Sequence, residues 1–297
     1  MCTSSITMSA AGIMVRFVAD NDLIINPTNF RGFATTTDSI PMLNVEIKKC
    51  QQQQPGYDKC TDVFVGDCRD AEVPAHRWEI GNLPDEQEYI SINYYTEQVP
   101  FEWIRLTFGA TDGVLEVLFR DRNQKFIDPY IFPLTNILIS RLLRRFHSFL
   151  IHSSVVDDGG KGYLFTAVSG TGKSTMARLW QSKGARIIND DMIAIRTDAE
   201  SICAMNIPMP YYVDAQRSVT LNGVFLISQS KTNFVRKISG AQAILRLASN
   251  TISQPTNQKV AIEHINNVSK VAQQVPIFEA GFKPDTDIVT IIRDLNL

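Results

Sequence analysis

Residues 163–175, YLFTAVSGTGKST, set an apolar run directly before a glycine-bearing loop that closes on Lys173 and Ser174. Few patterns restrict a fold so tightly. A strand must lead into such a loop and a helix must leave it. Residues 173–183 (KSTMARLWQSK) are good helix formers, and Gly184 stands where a C′ glycine ends a helix. Gly170 and Gly172 let the backbone turn its N–H groups inward, making an anion nest at a helix N-terminus. In this phosphate-cradling pattern Lys173 offers a point charge to β- and γ-phosphates and Ser174 a hydroxyl to Mg²⁺. Ser169, Gly170, Thr171, Gly172, Lys173, Ser174 and Thr175 are therefore the expected nucleotide contacts, with ATP and Mg²⁺ as ligands.

The next strand-like run, ARIINDDMIAI (185–195), presents Asp190 and Asp191 after its first apolar stretch. Seventeen positions separate Lys173 from Asp190, enough for a helix, a turn and a strand returning to the same end. One carboxylate there can hold Mg²⁺, directly or through water, and the other can accept a proton from an attacking hydroxyl. Neighbouring strand residues face opposite sides, so the two acids are expected to divide these jobs. His152, in the apolar run LIHSSVV (150–156), is the further candidate, weighed against the plainer role of a packed core histidine.

The whole chain falls into two halves. Residues 14–131 carry short alternating runs at 14–19, 42–48, 87–95, 101–108 and 114–119, which predict an antiparallel β-rich domain over 1–131. A polar Gln-Pro-Gly stretch at 50–61 reads as a loop, residues 2–13 as small and polar, and Met14 as an alternative start. Pro133 opens a predicted helix to about Leu150, with an apolar stripe of Leu134, Leu138, Leu142, Phe146 and Phe149 and with Arg141, Arg144 and Arg145 on the other side. From there strands are predicted at 150–156, 163–168, 186–195, 221–228 and 276–282, and helices at 173–183, 240–249, 258–273 and 286–294. Segment 206–218, rich in Pro and Tyr, reads as an ordered loop.

Composition narrows the class. A chain of 297 residues that is 44% hydrophobic and 20% charged buries a real core, and a net charge of −2 argues against broad electrostatic binding to nucleic acid or membrane. The five cysteines are irregularly spaced with no CxxC pair, which points to reduced thiols rather than a zinc site. The start shows no secretion signal and arginines interrupt the longest apolar runs, so a cytoplasmic protein is expected. Residues 238–248 (ISGAQAILRLA) faintly echo the signature of transport ATPases, but Ser239 and Gln242 are spaced as a helix capping box, and 259–265 lacks the strand ending in Asp-Glu that such a domain needs.

The order LIHSSVVDDGGKGYLFTAVSGTGKSTMARLWQSKGARIINDDMIAI (150–195) resembles the core of HPr kinase/phosphorylase, and more closely its bacterial HPr-kinase-related paralogues. Weaker likeness continues through 207–211, 222–230, 241–250 and 275–295, so it spans about 150–297. The resemblance implies an α/β fold in which a P-loop domain of the phosphoenolpyruvate carboxykinase and HPr-kinase type, over 132–297, follows the β-rich N-terminal domain. It also implies an ATP-dependent serine kinase activity, with His152 matching the family's active-site histidine, Asp191 its general base, and Asp190, beside Ser174, the metal. The family's glycine-, arginine- and glutamate-rich signature is not seen in 196–217, so the resemblance does not carry over HPr as the substrate or the reverse reaction and leaves both open. The acceptor is then a hydroxyl on a peptide, protein or small metabolite, and the N-terminal half serves recognition or homo-oligomer contacts. The alternative is a nucleotide-binding sensor or assembly subunit that no longer transfers phosphate.

Overall fold

The computed structural model describes residues 4–29, 31–35, 39–52, 60–69, 73–197, 200–209 and 217–297. It is a mixed α/β structure with two large sheets. The described residues fall into two compact units. One is drawn from Met1–Ile139 with Gln254–Gln258, the other from Ser140–Tyr212, Gln216–Ser253 and Lys259–Leu297. The division falls inside the helix Leu134–Arg144.

The first unit is built on a nine-stranded sheet. Its strands run in the order Ala34–Thr35, Ser5–Ala10, Ile13–Ala19, Leu43–Lys49, Asp112–Phe119, Phe101–Phe108, Glu88–Tyr94, His76–Asn82 and Thr61–Cys68. The alternation in the sequence places the middle strands to within a residue or two. It does not give their direction. Leu43–Lys49 runs parallel to both Ile13–Ala19 and Asp112–Phe119, so the sheet is mixed where an antiparallel one was expected. Direction depends on the length of the connection, which a period of two cannot announce. Ser5–Ala10, from the stretch read only as small and polar, hairpins onto Ile13–Ala19 through Ala11 and Gly12 at φ 50° and 78°. The Gln-Pro-Gly stretch lies, over 53–59, outside the described residues, as does Cys2; among the described residues Cys50, Cys60, Cys68 and Cys203 form no disulfide.

In the second unit a nine-stranded sheet is branched, its two arms sharing the long strands Phe149–Asp158 and Ser218–Gln229. One arm contains Phe234–Ile238, Ile277–Phe282, Ser218–Gln229, Lys161–Thr166, Phe149–Asp158 and Arg186–Asn189 in that order. Alternation along its strands fills both faces. Tyr163, Phe165, Phe225, Phe278, Ala280 and Phe282 face the helices Lys173–Ser182 and Asp287–Arg293, meeting Met176, Trp180 and Ile288. Leu164, Val224, Leu226 and Ile277 face the other way, toward Ile193, Ala204 and the helices Gly240–Ala248 and Gln258–Gln274. Burial on both faces explains the near-continuous apolar run at Tyr163, Leu164 and Phe165.

Four sequence expectations change here. The helix from Pro133 is shorter, Leu134–Arg144; the chain turns through His147 at φ 51° and Phe149 begins a strand. The apolar residues 146–151 fit either period, and pairing with Met192–Arg196 decides for strand. Arg141, read as a solvent-side decoration, is buried. The strand expected over 186–195 is broken into Arg186–Asn189 and Met192–Arg196 around the two aspartates. Ser239 is the N-cap of Gly240–Ala248 but forms no side-chain cap bond, so the capping box is not made. Residues 210–216 of the Pro- and Tyr-rich segment lie outside the described residues. Among the described residues no helix is long and apolar enough to cross a membrane.

Trp180 is fully buried, with ring centroids 4.8 Å from Tyr163 and 5.8 Å from Phe165. Replacing it with Ala should cost about 3–5 kcal/mol. Trp180→Phe keeps an aromatic ring and removes an indole N–H that has no hydrogen-bond partner, so it should cost much less. Urea unfolding followed by circular dichroism checks this, and equal losses in both variants would contradict it.

Candidate functional site

The strand Lys161–Thr166 ends two residues earlier than its apolar run suggests. Ala167 and Val168 leave the ladder, and their carbonyls turn inward to accept hydrogen bonds from Lys173 Nζ at 3.0 and 3.3 Å. Lys173 is only 6% exposed, so an ammonium is buried within its own loop. A buried charge must be compensated, and these carbonyls supply part of that compensation. Burial pulls the Lys173 pKa below the usual lysine range, and nearby Asp191 pulls the other way.

Both loop glycines adopt left-handed backbone, Gly170 at φ 77° and Gly172 at φ 111°. Gly172 is doubly constrained, since a Cβ there would lie 3.1 Å from Phe282 Cζ. It is also the N-cap of Lys173–Ser182, and having no side chain it leaves the first-turn N–H groups uncapped. Ser169 and Gly170 are exposed, whereas Thr171, Ser174 and Thr175 are half-buried. At the far end Gly184, at φ 93°, donates to the Gln181 carbonyl, as expected of a C′ glycine.

Three consecutive residues of the strand Phe149–Asp158 fasten the rest. The N–H of His152 donates to the Asn250 carbonyl at 3.1 Å, and its carbonyl accepts the Thr166 hydroxyl at 2.8 Å. Ser153 N–H donates to the Asp191 carbonyl at 3.0 Å. The buried Ser154 hydroxyl donates to the Lys173 carbonyl at 3.0 Å, tying the first helical residue to the sheet. Ser154, Thr166, Asn189 and Asn250 were not singled out from sequence, because each acts through main-chain geometry rather than through a recognisable motif.

The break at the aspartates has a local cause. The Asn189 side-chain oxygen accepts the N–H of Asp191 at 2.9 Å, an Asx turn that takes that N–H out of the ladder. Asp190 and Asp191 thus stand in a bend and not on alternate faces of a straight strand. Asp191 Oδ1 lies 3.5 Å from His152 Nε2, while Asp190, also half-buried, neighbours Asp191 and raises its pKa.

The three groups Lys173, His152 and Asp191 are electrostatically coupled. Burial pushes the Asp191 carboxyl above the usual carboxylate range, with Asp190 adding to it and His152 and Lys173 opposing. Burial holds His152 below its ordinary value, reinforced by Lys173 and opposed by Asp191. That lowering disfavours the imidazolium that an ion pair across the 3.5 Å approach to Asp191 requires. Beside the loop a cavity of about 560 Å³ is lined by 166–171, by 226–229 and by Arg246, Ser249 and Asn250.

No family model matches the chain, and no curated protein matches it either. Among solved structures, the Hpr(Ser) kinase/phosphatase from Coxiella burnetii is similar over 50% of this chain and 95% of that one, at 10% identity and a TM-score of 0.30. A likeness that loose decides neither fold nor activity, and the site has to be judged on its own geometry.

A carboxyl whose pKa is higher in the fold than in the unfolded chain favours the fold at acid pH, and that contribution is lost as pH rises through the folded value. Asp191 is such a group. In buffer free of divalent cations, Asp191→Asn should raise the melting temperature relative to the parent chain at pH 7 to 8. The gain should shrink toward zero as the pH falls below the raised pKa. A variant less stable than the parent at pH 8 would contradict the assignment of a strained carboxylate.

Proposed function

We propose that the second unit is an ATP- and Mg²⁺-dependent phosphotransferase that moves the γ-phosphate to a serine- or threonine-type hydroxyl on a peptide, protein or small molecule. The observation that carries this reading is the approach of the His152–Asp191 pair to the buried ammonium of Lys173 at the mouth of a glycine loop. A structural ion pair would lower the pKa of its acid and raise that of its base. Here burial instead raises a carboxylate and lowers a histidine and a lysine, the pattern expected where groups are tuned for proton transfer and anion binding.

The donor set fits the ligands. Ser169, Gly170 and Gly172, with the uncapped first turn at Lys173, Ser174 and Thr175, would offer main-chain N–H groups to a phosphate chain, and Thr171 would join them by giving up its 3.4 Å bond to the Val168 carbonyl. The Ser174 hydroxyl and an Asp190 carboxylate are the hard oxygen donors that Mg²⁺ prefers, and the ion would supply charge neutralisation on the transferring group. Lys173 would leave the loop carbonyls for phosphate oxygens, exchanging one set of compensating acceptors for a stronger one. Asp191 would take the hydroxyl proton as the acceptor oxygen bonds to the γ-phosphorus and the bond to the departing diphosphate breaks. His152, neutral, would keep Asp191 oriented. The N-terminal unit would serve recognition or homo-oligomer contacts, with nucleic acid and membrane outside its role.

Incubation of the full chain with γ-labelled ATP, Mg²⁺ and a cell extract tests the reading. Transfer of label to an acceptor should fall by at least about a hundredfold in Lys173→Ala, because electrostatic stabilisation dominates this chemistry. Asp191→Asn should lose transfer while retaining nucleotide affinity. Undiminished transfer in Asp191→Asn removes the proposed base, and a protein that binds nucleotide but labels nothing returns the chain to a sensor or assembly role.

A further inference from the structure

The cavity beside the loop opens at the carboxyl ends of the parallel strands Lys161–Thr166 and Ser218–Gln229, which are paired Thr166 to Leu226. Crevices at this end of a parallel sheet are where such folds hold their ligands. Arg246 is the one charged residue among those lining the cavity; the rest are main chain, apolar or neutral polar groups.

Arg246 is built into place. Its carbonyl accepts the Ser249 hydroxyl and the Asn250 amide, each at 2.9 Å, and the Asn250 carbonyl in turn takes the His152 N–H at 3.1 Å. The end of the helix Gly240–Ala248 is thereby fixed relative to the strand that carries His152. The guanidinium donates to Glu279 Oε1 at 3.3 Å, while Arg236 donates to Glu279 Oε2. Two guanidinium groups share one carboxylate, so the trio keeps a net positive charge. The Arg246 side chain remains 38% exposed, Arg246 is among the residues lining the cavity, and its bond to Glu279 is made through Nη1. The planar donor fork of a guanidinium matches a carboxylate bidentately.

We propose that Arg246 recognises a carboxylate on the phosphoryl acceptor, so that the acceptor class is a hydroxyl-bearing carboxylate such as a chain-terminal serine. The inference rests on the phosphotransfer reading of the neighbouring loop and narrows its substrate. Arg246 is a specificity residue here, distinct from the groups that act on the hydroxyl.

The test uses N-acetyl-L-serine and N-acetyl-L-serinamide, which differ only in the carboxylate, titrated into the full chain and followed by line broadening of their acetyl methyl signals. The carboxylate form should bind at least about fivefold more tightly to the parent chain, given the strength of charge-assisted Arg–carboxylate bonds. Arg246→Gln should erase that preference. Arg236→Gln, which loosens the same Glu279 without lining the cavity, should keep it. Equal affinities in the parent chain, no binding of either probe, or a preference that survives Arg246→Gln overturns the assignment. In transfer assays, an Arg246→Gln variant that slows both probes equally would place the guanidinium on the nucleotide phosphate and also overturn it. A chain that prefers the carboxylate yet takes up no Mg-ATP refutes the phosphotransfer reading instead, so the two failures are told apart.

Discussion

The second unit depends on a buried ammonium. Lys173 is itself buried although the loop around it is partly exposed, and the fold answers its charge with two carbonyls freed from the preceding strand. Had Lys161–Thr166 continued through Val168, those carbonyls would be committed to neighbouring strands and the charge would lack its partners. The early strand ending, the two left-handed glycines and the uncapped helix start all belong to one electrostatic arrangement. Under the proposed function, a polyanion would replace the carbonyls as the partner of the lysine.

Packing holds that arrangement rigid. Phe282 closes under Gly172, the Ser154 hydroxyl grips the Lys173 carbonyl, and Trp180 anchors the helix between Tyr163 and Phe165. The same strand that supplies Ser154 carries His152 two residues earlier and accepts the bend with Asp191 opposite Ser153. Glycine loop, histidine and carboxylate are therefore positioned by one strand, and a shift in it would move all three together. Sites on regular elements are held more exactly than sites on loops.

The sequence makes the strand, loop and helix around Lys173 plain, because glycine spacing, helix propensity and the C′ glycine agree. It does less well at Asp190 and Asp191. The apolar residues on either side read as one strand, yet Asn189 diverts its side chain to the Asp191 N–H and bends the chain. Asn followed by two Asp is a turn signal in its own right, and its weight was hidden by the flanking isoleucines. Phe149 shows the opposite difficulty: its spacing from Leu142 and Phe146 suits a helix, and only pairing with Ile195 makes it strand. The mixed direction of the N-terminal sheet was not legible at all, since side-chain alternation is the same in parallel and antiparallel pairs. Arg246 was hidden because an arginine in an amphipathic helix reads as a solvated face until the cavity beside it is seen.

The Lys173 loop is proposed to receive the phosphate chain of a metal-bound nucleotide. Calorimetric titration of Mg-ATP into the purified full chain tests this most directly. The predicted result is saturable binding at one site per chain that is lost in Lys173→Ala while the variant keeps its circular dichroism spectrum. Absence of any binding heat for the unaltered, folded chain, or binding that is indifferent to Lys173, would contradict it.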